Sequence, residues 1–103
     1  MPNFINCTPH PIVLNNGTVY APSGQIARVS SSHTPLDANG VCRVVYGDLV
    51  NVPDPAPDTL YIVSALVLGA SDRKDLVAPA TGHPDCVRDA QGHIVSVPGF
   101  VTR

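Results

Sequence analysis

A chain of 103 residues with 44% hydrophobic side chains has the material for one domain with its own core, without a metal or disulfide staple. Six basic residues stand against eight acidic ones, and only the short run RKD at 73–75 forms a cluster. That scatter excludes the electrostatic footprint of a duplex nucleic-acid or anionic-membrane binder, while a single small anion needs only two or three converging donors.

There is no glutamate and one lysine, against eleven prolines and eight glycines. Long surface helices are built from Glu, Lys, Gln and Ala, so this composition predicts a mainly β, β-rich α+β chain of one domain, 1–103. Residues 4–7 read as a first strand, broken by Pro9, and residues 11–14 as a second. Asn16-Gly17 signals a tight type I′ hairpin turn, with residues 18–20 returning as the partner. Residues 25–30 alternate as a strand after the turn at Pro22-Ser23-Gly24. Residues 30–40 lack periodicity and read as a polar loop closed by Ala38-Asn39-Gly40. Residues 41–52 form the longest strand candidate, with Gly47 where a bulge would sit.

PDPAPD at 53–58 then forces a stiff, extended connection, because each proline restricts itself and the residue before it. Residues 60–63 read as a buried strand, and Ser64 is placed to cap one short helix over 65–70. Residues 76–78 are a short strand. Residues 86–97 are a hairpin turning over Ala90-Gln91-Gly92. The expected architecture is a small antiparallel barrel or sandwich with one helix after Ser64. The apolar run at 60–70 is about half the length of a bilayer crossing. The opening MPNFINC lacks the pattern of a secretory leader, so a soluble, cytoplasmic protein is expected.

Three cysteines, an odd number, argue against a disulfide framework in that compartment. Cys7 and His10 share the spacing of His83 and Cys86, and the two pairs together could make a tetrahedral zinc site. The pairs lie far apart in the chain, and turn and strand roles explain them more simply, so no metal and no cofactor are expected. Cys86 with His83 or His93, and Asp85 or Asp89 behind, has the residue types of a cysteine hydrolase, but no local signature surrounds it. Asp72, Asp75, Asp85 and Asp89 each fall in a turn or cap, the commonest use of aspartate. No phosphate-binding glycine motif is present. The reading that remains is non-enzymatic binding. Thr8, His10, Arg28, Arg43, Tyr46, Ser64, Arg73 and Arg88 are donors on or beside strands, suited to a small anionic or nucleotide-like ligand. So apolar a chain with so few charges also has material for a homo-oligomer interface.

The segments NCTPHPIVL, APSGQIARV, YGDLVNVPDP, TLYIVSALV, RKDLVAPATG and VRDAQGHIVSV, in that order, resemble a family of small uncharacterised proteins of tailed phages and prophages. That family usually carries leucine where this chain has Cys7. The resemblance implies a phage protein in the cytoplasm of a bacterial host and supplies no catalytic residue. It makes an accessory protein that sequesters host nucleotide immune signals the leading expectation. A structural or assembly component of the phage is the first rival, and a small metal- or cysteine-dependent hydrolase the second.

Overall fold

The computed structural model describes residues 2–103 and is mainly β with one short helix, as composition predicts. In chain order the elements are β1 (Asn3–Asn6), β2 (Ile12–Val13), β3 (Val19–Tyr20), β4 (Arg28–His33), β5 (Val44–Val50), β6 (Thr59–Ile62), α1 (Ala65–Gly69), β7 (Leu76–Pro79), β8 (Val87–Arg88), β9 (Ile94–Ser96) and β10 (Phe100–Val101). The sheets do not close into a barrel. The centre is a four-stranded sheet in the order β1-β6-β7-β10, and three two-stranded sheets, β2-β3, β4-β5 and β8-β9, surround it.

The central sheet is mixed rather than antiparallel. β1, β6 and β7 run parallel, and only β10 is reversed. A parallel return needs a crossover of about a dozen residues, and α1 supplies it between β6 and β7. Ser64 has extended backbone and accepts a hydrogen bond from the Val67 amide, which caps the helix as its sequence position predicts.

Each sheet face has its own cover, because paired residues share a face and neighbours along a strand alternate. Tyr61, Val63, Leu76, Ala78 and Cys7 form a cluster with Val67 and Leu68 of α1, joined at its edge by Val29, Leu49 and Val52. On the opposite face Phe4 and Phe100 stack with centroids 5.0 Å apart. Tyr20 of β3 tilts against both, at 5.4 and 5.9 Å. The β2-β3 hairpin is thereby anchored over that face. The Val97 amide donates to Val13, and Leu14 bridges Val97, which joins β2 to the β8-β9 hairpin as one outer layer.

Three turns repeat one device. At Leu14–Thr18, Asp37–Val41 and Asp89–His93 the first residue's amide donates to the fifth residue's carbonyl. The fourth residue's amide donates back to the first carbonyl in each. That fourth residue is Gly17, Gly40 or Gly92, each at positive φ. This is a three-residue loop ending in a glycine bulge, not the two-residue type I′ turn expected at Asn16-Gly17, since Asn16 keeps negative φ. In the second and third turns the aspartate adds a cage: Oδ1 of Asp37 accepts from Asn39 and Val41, and Oδ1 of Asp89 from Gln91 and His93.

The stretch read as a polar loop is partly strand. β4 continues to His33 and pairs with β5, in register His33↔Val44, Ser32↔Val45 and Ser31↔Tyr46. Its serines are exposed on both faces, so no alternation marks it as a strand. The register shifts at Gly47 as anticipated. A Cβ there would stand 2.6 Å from Ser30 Oγ, so a larger residue would have to turn the Ser30 hydroxyl aside. No helix among the described residues is long and apolar enough to cross a membrane.

Candidate functional site

The segment NCTPH turns on one buried amide. Asn6 is only 2% exposed. Its Oδ1 accepts from the Thr8 amide (2.9 Å) and hydroxyl (2.6 Å), and its Nδ2 donates to the carbonyls of His10 (2.8 Å) and Tyr20 (2.9 Å). The Thr8 hydroxyl also lies 3.0 Å from the His10 carbonyl. Thr8 therefore positions the chain rather than facing a ligand. Asn6 was not singled out in the sequence, although Asn two residues before Thr is a recurrent local-turn pattern that could have marked it.

Beyond this hub the chain forms one wall of a cleft of about 300 Å³. His10, Pro11, Ile12 and Val13 line one side, Pro79 and Thr81 the end of β7, and residues 94–97 the other side. The cleft thus opens beside the carboxyl end of a parallel strand, the usual position for ligands in open sheets with parallel strands. Its walls are apolar and its polar groups few. The Ser96 hydroxyl is held by Asn15 Oδ1 at 2.6 Å. Arg88 stands at the rim, with Nη2 donating to the Thr81 carbonyl (3.1 Å) and Nη1 to the Gly92 carbonyl (3.0 Å). Two of its five N–H groups are engaged this way, and the guanidinium stays exposed.

Of the donors named from sequence, the fold places His10 in the lining of this cleft and bonds Arg88 to its Thr81, with the Thr8 hydroxyl on the His10 carbonyl. Thr81, which no sequence signal marked, completes the group. The others lie elsewhere. Arg28 opens β4 opposite Val50, and Arg43 lies just before β5. Tyr46 is on β5, and Ser64 serves as the helix cap. Arg73 is bound bidentately by Asp75, with its Nε 2.9 Å from Oδ1, and lies over the Tyr61 ring. That pairing holds the Asp75 carboxyl below its usual range, through the Arg73 hydrogen bond and charge.

The zinc alternative is not assembled. Among the described residues no three His, Cys, Asp or Glu side chains cluster as a metal would need, so Cys7, His10, His83 and Cys86 make no such site. Cys7 is buried in the helix-facing core, on the side of the sheet away from Asn6 and Phe4. Burial pushes its thiol up, against a smaller opposing effect of the Ser23 hydrogen bond. A buried, protonated thiol is a poor ligand and a poor nucleophile. Asp89, offered as an orienting carboxylate, is held by its own turn, and His93 lies 3.6 Å from it at an exposed position. Comparison of the chain with protein-family models, with curated proteins and with solved structures finds no match.

Proposed function

We propose that this chain is a phage accessory protein that holds a small anionic, nucleotide-like ligand in the cleft between β2, β7 and β9 and leaves it chemically intact. The carrying observation is the division of chemistry within that cleft. Apolar walls from Pro11, Ile12, Val13, Pro79 and Val97 suit the flat body of a base, while His10 and Thr81 add polar groups to the lining and Arg88 is bonded to Thr81. A volume of about 300 Å³ lies at the lower end of small-molecule sites. It admits a base and leaves the charged part of the ligand outside, where Arg88 stands. An arginine fork supplies the charge-assisted bonds that offset desolvation of a phosphate. Sequestration of a host nucleotide signal in the bacterial cytoplasm is the role that fits such a binder and the phage-family resemblance.

The test is incubation with cyclic oligonucleotides and ADP-ribose-type nucleotides, then heat release, chromatography and calorimetric titration. A retained ligand is expected to be recovered unchanged. Arg88→Ala is expected to weaken binding by about 1.5–3 kcal/mol, the scale of a hydrogen bond to a charged group. Arg28→Ala, outside the cleft, should leave binding unaltered. Recovery of cleaved product would establish an enzyme instead. Retention of none of these nucleotides would favour the second reading, a phage assembly or interaction component, which the exposed apolar side chains of the β4-β5 hairpin support.

A further inference from the structure

The β4-β5 hairpin is built unlike the rest of the chain. It pairs with no other strand among the described residues, so both of its edges are open. Nearly every residue of it is exposed. An isolated two-stranded ribbon is marginal in water, and the usual protections of an open edge are lysine, proline or a very short strand. β5, seven residues of sequence VVYGDLV, has none of these, and only the Gly47 bulge and Asp48 interrupt its edge. The radius of gyration, 15.8 Å, exceeds the roughly 13 Å of a compact chain of this length, consistent with an arm that stands away from the body.

The arm's apolar surface has a direction. Val29, Ser31 and His33 alternate onto one face of β4, and their partners Leu49, Tyr46 and Val44 share that face across the bulge. Leu49 and Val29 at its base pack on the core. Tyr46 and Val44 continue the same face beyond the body. Tyr46 then borders a second cleft, of about 370 Å³, with Ala65, Leu66, Gly69 and Ala70 of the helix region. A protruding apolar arm and an apolar notch thus stand side by side on one molecule.

We infer that this surface is an interface between two copies of the chain, the arm of each seated against the arm and notch of the other about a two-fold axis. Knob and notch on the same surface are what an isologous contact requires, since each copy offers both halves. Charge agrees: across residues 28–50, Arg28 and Arg43 balance Asp37 and Asp48, so a second copy meets no single-sign field. Area agrees as well. On the face just described Ser31, His33, Val44 and Tyr46 are all exposed, as are the four residues of the helix region that line the notch. Together they leave on the order of 500 Å² in water, so two copies cover about 1,000 Å², the scale at which specific interfaces begin.

The interface is independent of the nucleotide cleft, and its test needs no ligand. Sedimentation and light scattering of the full chain at about 100 µM are expected to give twice the 10.8 kDa of one chain. Tyr46→Glu and, separately, Leu66→Glu are expected to weaken the dimer at least tenfold while leaving the circular dichroism spectrum unchanged, because both side chains are more than half exposed. Amide exchange over residues 44–50 should slow with rising protein concentration in the unaltered chain and not in the variants. A monomer at 100 µM, a dimer that survives both substitutions, or concentration-independent exchange over that segment would overturn the inference. The first of these results would leave the arm to a different protein.

Discussion

Removing the Asn6 side chain tests the claim that one amide organises the first hairpin and the cleft wall. Asn6→Ala deletes two acceptor contacts and two donor contacts at a site almost closed to water. The His10 carbonyl keeps the Thr8 hydroxyl as a partner. The Tyr20 carbonyl keeps the Ile12 amide across the β2-β3 pair, and only the Thr8 amide keeps nothing. One buried amide left unsatisfied costs about 1–3 kcal/mol, which sets the loss. Set against a total of roughly 5–15 kcal/mol, that is a large fraction. Urea denaturation at pH 7 measures it, and a change below about 0.5 kcal/mol would refute the hub.

Asn6→Asp sharpens the test. The carboxylate still accepts from Thr8, but its second oxygen would face the His10 and Tyr20 carbonyls. The folded state then favours the protonated acid, and the substituted carboxyl's folded pKa lies above its unfolded value near 3.9. A raised folded pKa means the deficit against the unaltered chain is smallest below about pH 4 and grows as pH rises through the folded value. A deficit that is constant or shrinks with rising pH would show that the donor contacts are unimportant.

Gly92→Ala places a Cβ at φ +85° with no atom near it, so its cost is backbone strain alone, about 1–2 kcal/mol by thermal unfolding; no loss would mean the turn accommodates alanine by another backbone route. Arg73→Ala should cost about 1 kcal/mol at pH 7 through the bidentate pair. Asp75 has a depressed folded pKa, so this contribution is present above its unfolded value near pH 4 and vanishes as pH falls through the folded value. An Arg73→Ala deficit that persists in strong acid would assign the effect to packing on Tyr61 instead. Iodoacetamide is expected to label Cys42 and Cys86 in the folded protein and Cys7 only on unfolding, read by mass spectrometry; rapid labelling of Cys7 would contradict its burial.

What the sequence by itself determined is what neighbouring residues decide. The absence of glutamate and the abundance of valine between turn signals predict β structure. Ser64 before an apolar run predicts the cap, and each Gly after an Asn or Gln predicts a positive-φ turn, because these preferences reside in a few adjacent dihedrals and side chains. Even there the choice between a two-residue turn and a three-residue loop with a bulge depended on the strand register, which local chemistry does not set. Tertiary structure alone decided the rest. β6 and β7 are parallel because α1 returns the chain between them, β1 and β6 because residues 7–58 make the return, and no residue pattern in residues 3–6 names its partner at 59–62. β4 is a strand because β5 pairs with it, although its own serines carry no periodicity. His10 and Thr81 line one cleft, with Arg88 bonded to Thr81, because the outer hairpins fold over one sheet face, and Arg28 does not join them because its strand leaves with the arm. Dihedral preferences act over a few residues, whereas a binding site is a set of long-range contacts that exists only once the layers have packed.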